Sequence, residues 1–202
     1  MKTRVYRKNQ LDQIAAVLKS SGLVAFPTDT VFGLACDSSD LSAIEKMKLA
    51  KGRPEEKPFP MMVSSLEQLA TVAIFGERER KVIAKFMPGA LTIVFNKQPS
   101  LAPVVTNGFP TVGVRMPNDP WVLSLIEAVG HPLLVPSANL SGASVCTNHL
   151  EVILQLQGRI EGVVAGESGA ALSSTIIDMS GPEVKLLRVG KITLEEILEV
   201  IR

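Results

Sequence analysis

A chain of 202 residues, 46% hydrophobic and 20% charged, is long enough for one domain with a sizeable core and too apolar to be disordered. Its 21 Lys and Arg against 20 Asp and Glu leave a net charge of +1, so bulk charge argues neither for nor against nucleic acid. The two cysteines, Cys36 and Cys146, exclude a disulfide framework and lack metal-ligand spacing, and 4% aromatics leave few platforms for stacking single-stranded nucleic acid.

The first ten residues are polar and carry no apolar signal core. No apolar run approaches the roughly 20 residues needed to cross a bilayer. With two cysteines that read as small buried hydrophobes, a cytoplasmic, reducing location is expected. Apolar residues at 11, 14, 15, 17 and 18 predict a helix over 11–21, stopped by Gly22. Residues 23–26 form a short apolar run ended by Pro27, which suits a buried strand. A second helix is expected over 40–48, a strand over 59–63, and helices over 65–71 and 77–87. Strands follow at 91–95 and 112–116, then a helix over 119–129 with Pro120 in its first turn. A strand at 133–135, a helix at 149–157 and strands at 162–165, 175–178 and 184–187 complete the core. Thr193 and Glu196 make a capping box that opens a last helix over 193–201. The interspersion predicts an α/β, mixed α+β class with one continuous sheet. Strands separated by a single helix are expected to run parallel, and 175–178 with 184–187 to form an antiparallel hairpin. One domain spans 1–202, with its core at about 11–190. The Gly, Ala and Ser of 166–173 make that stretch the most flexible-looking, and a candidate mobile loop beside a site.

Five short polar motifs sit at the ends of these runs. Pro27-Thr28-Asp29-Thr30 offers two hydroxyls around a carboxylate, either to fix a ligand or to close a strand-end turn. Lys51-Gly52-Arg53-Pro54, with Lys57 and Pro58, makes a stiff basic loop suited to phosphate, or a helix end whose lysines complement the dipole. Thr111, Gly113 and Arg115 share one face of a strand by period two. Burial of the Arg115 guanidinium demands a partner, either a ligand carboxylate or an internal one such as Asp29 or Asp178. Ser137-Ala138-Asn139 places hydroxyl and amide pointing the same way if the backbone stays extended. Ser137 lacks a recognisable histidine base, so it is a poor nucleophile; His131 and His149 read as structural or surface residues. Ser174-Thr175 opens a strand with hydroxyls, and Arg188 follows another. There is no phosphate loop, dinucleotide fingerprint or His-Glu-x-x-His.

The ordered set Pro-Thr-Asp-Thr-x-Phe-Gly-Leu, Lys-x-Arg-Pro, Pro-Gly-x-Leu-Thr, Arg-Met-Pro, Ser-Ala-Asn-x-Ser-Gly and Ser-Thr-Ile-Ile-Asp resembles the YrdC family of threonylcarbamoyl-adenylate synthases. The resemblance runs from about Leu11 to Arg188. It implies a twisted, mixed parallel and antiparallel sheet flanked by helices around a deep basic cavity. It also implies the conversion of L-threonine, bicarbonate and ATP, with Mg²⁺, to threonylcarbamoyl-AMP and pyrophosphate for the t6A modification of tRNA. Lys51, Arg53, Ser137 and Asn139 match the family's catalytic tetrad. Nucleotide roles fall on Arg53, Lys57, Thr111, Asn139, Thr147 and Arg188, and threonine roles on Thr30, Arg115, Ser137 and Ser174. No protein-held metal is implied; tRNA or proteins of the t6A pathway are the implied partners, without a membrane. Phe32 stands where tyrosine is common, Met62 where some relatives have histidine, and Val145-Cys146-Thr147 replaces a frequent Ser-Pro-Thr. The chain ends at Arg202, whereas longer relatives continue into a second domain, so cavity closure is expected from elsewhere, such as the 166–173 loop. The alternatives are an RNA-binding translation or ribosome-maturation factor, and a carbamoyl-transfer module.

Overall fold

The computed structural model describes residues 2–52, 58–169 and 173–202. Arg53 and Lys57, and residues 170–172 of the Gly/Ala/Ser stretch, lie outside the described residues.

The chain opens with strand β1 (Arg4–Tyr6), helix α1 (Leu11–Lys19) and the antiparallel pair β2 (Val24–Phe26) and β3 (Gly33–Asp37). Helix α2 (Leu41–Lys51) starts where the Asp40 carboxylate accepts the Ser42 and Ala43 amides at 2.8 and 3.2 Å. It stops at Gly52, whose φ of 57° is a left-handed conformation that glycine adopts without penalty. Next come β4 (Met61–Met62), α3 (Leu66–Val72), β5 (Ala73–Ile74), α4 (Glu77–Phe86), β6 (Leu91–Lys97) and β7 (Thr111–Arg115). Helix α5 (Pro120–Val129), capped by Asp119, leads to β8 (Leu133–Leu134). Helix α6 (His149–Leu156), β9 (Gly162–Val164), β10 (Thr175–Asp178), β11 (Lys185–Arg188) and α7 (Leu194–Ile201) finish the fold.

The strands form one mixed sheet in the order β1-β9-β2-β3-β8-β4-β7-β6-β10-β11, with β5 on the side of β6. The expected hairpin is present: β10 and β11 pair antiparallel, with a register shift between Ile176 and Ile177. The strands flanking α5 depart from expectation. β4 inserts between β7 and β8, pairing parallel with the first and antiparallel with the second, so β7 and β8 run oppositely. Parallel pairs instead join segments far apart in sequence, such as β1 with β9 and β6 with β10.

Side chains alternate between two packed layers, as strand geometry requires. Ala25, Leu34, Met61, Leu134, Val114, Ile93 and Ile177 face a layer built with α2, α3, α4, α6 and α7. Val24, Phe26, Ala35, Leu133 and Met62 face the opposite layer, built with α1 and α5. On that second face, beyond Met62, the strands change character. β7 presents Thr111, Gly113 and Arg115, β6 presents Thr92 and Val94, and β10 presents Ile176 after Ser174. A cavity of about 550 Å³ lies over these residues. The fold thus covers one face of the sheet with apolar helices and leaves a polar recess on part of the other.

Both cysteines are free and buried, as small hydrophobes should be. Burial pushes the Cys146 thiol up to about 11 and raises Cys36 still further, so both stay protonated. No helix among the described residues is long and apolar enough to cross a membrane.

Candidate active site

The cavity is lined by one arc of hydroxyls and cations and another of apolar side chains. The loop after β2 supplies the first hydroxyls. Thr28 Oγ1 donates to the Val31 carbonyl at 2.8 Å, accepts the Thr30 amide at 3.1 Å and lies 3.1 Å from Thr30 Oγ1. With the Thr28 proton committed to Val31, Thr30 is the donor in the hydroxyl pair. Both side chains are buried, and Thr30 faces the cavity through a hydroxyl whose orientation is already set.

Arg115 closes β7 and is held at three points. Nε donates to the Gly89 carbonyl at 2.9 Å, Nη1 to Thr30 Oγ1 at 2.7 Å and Nη2 to Asp29 Oδ1 at 2.5 Å. Asp29 is the internal carboxylate that a buried guanidinium requires. Its other oxygen accepts the Asn118 amide at 3.3 Å, whereas Asp178 is engaged with Ser180. Burial pushes the Arg115 pKa down, while the Asp29 carboxylate opposes the shift.

Arg188, the last residue of β11, approaches from the opposite side of the recess. Its Nε donates to the Ser174 carbonyl at 2.9 Å and its Nη2 to Ser174 Oγ at 3.0 Å. Ser174 Oγ lies 2.8 Å from Thr92 Oγ1. One bond between two hydroxyls leaves one of their protons for an acceptor in the cavity. Burial lowers the Arg188 pKa first, and the nearby Arg115 cation lowers it further. Both guanidiniums nevertheless remain charged at neutral pH. Among the described residues, the cavity lining carries these two guanidiniums and no carboxylate, while Asp29 pairs with Arg115 beside it.

Ser137 also lines the cavity, but Asn139 does not share its direction. The Asn139 amide bends back to the Ser137 carbonyl at 3.0 Å, so the backbone is not extended there. The Asn139 side chain instead donates to the Leu140 and Ala143 carbonyls at 2.8 and 2.9 Å. Its buried Oδ1 has no hydrogen-bond partner among the described residues. Lys51 belongs to the last turn of α2 rather than to the loop after it, and is 3% exposed. Its ammonium donates to the Ser137 carbonyl at 2.6 Å and the Asn139 carbonyl at 2.8 Å. It therefore braces the 137–139 bend from behind the cavity wall. Thr147 is bound to Glu151, its amide at 2.7 Å and its hydroxyl at 3.2 Å, at the start of α6.

Of the residues expected from sequence, Thr30, Thr111, Arg115, Ser137, Ser174 and Arg188 meet at the cavity, and Lys51, Asn139 and Thr147 stand outside its lining. Thr92, the last residue of the Pro-Gly-x-Leu-Thr motif, also lines the cavity. Its signal was a hydroxyl between Leu91 and Ile93, where alternation turns it away from the core. The described part of the Gly/Ala/Ser stretch is tied down, with Gly169 N donating to Thr28 O at 3.0 Å and Ser168 N to Thr147 O at 2.8 Å. His131 pairs with Asp37 and His149 contacts Gly166, and neither lines the cavity. Among the described residues no three His, Cys, Asp or Glu side chains cluster as metal ligands.

Similarity to known proteins fits this geometry. The profile of the Sua5/YciO/YrdC family, described as "Telomere recombination", matches residues 16–190. The chain is 40% identical over 195 residues to threonylcarbamoyl-AMP synthase of Bacillus subtilis, covering 95% of this chain and 56% of that protein. It therefore spans little more than half the length of that relative. The putative threonylcarbamoyl-AMP synthase of Mycobacterium tuberculosis is 34% identical, with 96% of this chain and 90% of that protein covered. Among solved structures, Pyrococcus abyssi Sua5 complexed with L-threonine superposes with a TM-score of 0.92 at 36% identity, covering 99% of this chain and 60% of that one. Escherichia coli YciO shares the fold, with a TM-score of 0.86 at 20% identity and coverage of 96% and 99%. Matched along nearly its whole length in sequence and in fold, the chain belongs to the Sua5/YciO/YrdC family.

Proposed function

We infer that this chain is a cytoplasmic L-threonylcarbamoyladenylate synthase, a nucleotidyltransferase that supplies the t6A modification of tRNA. The observation that carries the reading is the convergence of Thr30, Arg115, Ser137, Ser174, Thr111 and Arg188 on one cavity. The relatives named as threonylcarbamoyl-AMP synthases and the Sua5 complex with L-threonine support it.

In this reading threonine lies against Thr30, Arg115, Ser137 and Ser174. Arg115 offers its carboxylate a donor whose orientation Asp29, Gly89 and Thr30 fix in advance. Such preorganisation favours positioning over induced rearrangement. The threonine amine and bicarbonate condense to a carbamate with loss of water. A carbamate oxygen then forms a bond to the α-phosphorus of ATP, and the bond from that phosphorus to the bridging oxygen breaks. Pyrophosphate departs with the electron pair. The lining holds no His, Asp, Glu or Lys among the described residues, which suits a transfer that needs charge neutralisation rather than a protein nucleophile. Arg188 supplies part of that charge, beside Thr111 on the nucleotide. In this reading Mg²⁺ enters with ATP. Lys51 acts by holding the Ser137 bend. Arg53 and Lys57 are the further phosphate ligands in this reading, and tRNA or proteins of the t6A pathway are the recipients of the product.

The test is pyrophosphate release from ATP and Mg²⁺, with threonine and bicarbonate each added or withheld. Release dependent on both, and lost in Arg188→Ala, is expected. A folded wild-type protein with no threonine-dependent release would overturn the reading.

A further inference from the structure

Thr111, Gly113 and Arg115 lie on one face of β7 and line the cavity, yet the middle position carries no side chain. Nothing in the backbone requires glycine there, because its φ lies outside the left-handed region. Packing does not require it either. A Cβ at Gly113 would sit 3.7 Å from Thr92 Cγ2 and 3.7 Å from Val94 Cγ2, ordinary van der Waals distances. Glycine inside a strand is otherwise unfavourable, since it loses the most conformational freedom on folding and packs nothing. A bare strand position that the fold does not need marks a close approach by something else.

Its location says what approaches. Residues two apart on a strand are separated by about 6.6 Å, so Gly113 lies midway between Thr111 and Arg115. On the synthase reading, on which this inference rests, Arg115 holds threonine and Thr111 the nucleotide. The atoms that join the two substrates must then pass over residue 113. Val94 is the register partner of Gly113 across β6, and with Thr92 it borders the same spot.

We propose that the bare Cα of Gly113 forms the floor beneath the junction of carbamate and α-phosphate. The oxygen–phosphorus bond forms over this position, and the bond to pyrophosphate breaks there. A side chain at 113 leaves the ligands of each separate substrate in place but fills the space needed when both are aligned. The loss therefore falls on turnover with both substrates present, not on binding of either alone.

The experiment compares Gly113→Ala, Gly113→Ser and Gly113→Val. Four quantities are measured: threonine-dependent pyrophosphate release, the Kd of threonine alone, the Kd of ATP alone, both by calorimetry, and Tm. Alanine, whose methyl meets only ordinary contacts within the protein, is expected to lower turnover by about 5-fold through the space it takes from the junction, and valine by about 100-fold, the scale of an ångström-sized misplacement. Both Kd values should move by less than about 3-fold and Tm should not fall, because a β-branched residue suits a strand. A folded valine variant with near wild-type turnover overturns the proposal. So does a loss of turnover matched by a rise in either separate Kd. If valine prevents folding, serine decides, with about 10-fold loss expected from a smaller displacement and wild-type turnover again overturning the proposal. Wild-type protein without threonine-dependent release would instead overturn the synthase reading itself, before any variant is compared.

Discussion

Replacing Asp29 by alanine removes the only carboxylate bonded to the buried Arg115 among the described residues. The Arg115 side chain is 5% exposed and that of Asp29 is 19% exposed, so water reaches the carboxylate more readily than the guanidinium. Breaking a buried pair by deleting one partner costs about 3–5 kcal/mol, because the other charge stays buried and unpaired. Arg115 keeps its bonds to Gly89 and Thr30, and Asp29 is partly solvated, so the lower part of that range applies. We expect a loss of about 3–4 kcal/mol, which for a chain of this size lowers Tm by roughly 6–16 °C. Arg115→Met should cost less, since it leaves behind the more exposed partner. Equilibrium urea unfolding of the wild type, both single variants and the double variant gives the coupling directly. The double variant should be more stable than the sum of the single losses predicts by about 1–3 kcal/mol. Additivity within about 0.5 kcal/mol would refute the pairing and, with it, the preset orientation of Arg115.

Two further outcomes follow from the same structure. Lys51→Met deletes two charge-assisted bonds to backbone carbonyls, each worth about 1.5–3 kcal/mol, partly offset by removing a buried ammonium. A net loss of roughly 2–3 kcal/mol in urea unfolding is expected, with slowed turnover as Ser137 shifts; unchanged stability would contradict the bracing role. Stability should also fall in acid. The Ser21 hydroxyl, then the Ala43 and Ser42 amides, hold Asp40 below the usual aspartate range, and the Thr147 amide, then the Thr147 and Asn148 side chains, do so for Glu151. A folded-state pKa below the unfolded one stabilises above the unfolded value and loses that contribution as pH falls through the folded one. The urea midpoint should therefore hold steady above about pH 5 and drop below about pH 4. A shallower fall below about pH 4 in Asp40→Asn than in wild type would locate that part of the effect at the α2 cap, with Glu151 accounting for part of what remains.

The site was legible in sequence wherever its residues sit on regular strands. Period-two spacing put Thr111, Gly113 and Arg115 on one face, and they line the cavity together. Where the chain leaves extended geometry the reading failed. Ser137 and Asn139 diverge because the Asn139 amide returns to the Ser137 carbonyl, a local bond that no spacing rule anticipates. Lys51 was left between a basic loop and a helix end because helix ends are set by capping geometry; it proves to be the helix end, with the left-handed Gly52 just beyond it. Strand β3 escaped notice since Gly33-Leu34-Ala35-Cys36-Asp37 is buried on both faces and shows no alternation. Strand β1 escaped because Arg4–Tyr6 looks polar and has meaning only beside β9, far along the chain.

That last pairing sets an order on biosynthesis. Among the described residues, strand β1 finds its only strand neighbour in β9, where Arg4 aligns with Gly162. A ribosome adding about 5–20 residues per second needs roughly 8–30 s to make the intervening segment. During that interval the first strand, and the parallel edge of β2 that also awaits β9, present unpaired backbone to the crowded cell. The polar composition of Arg4-Val5-Tyr6-Arg7-Lys8, two arginines and a lysine in five residues, is the kind of sequence that keeps such an edge from joining the wrong chain while it waits.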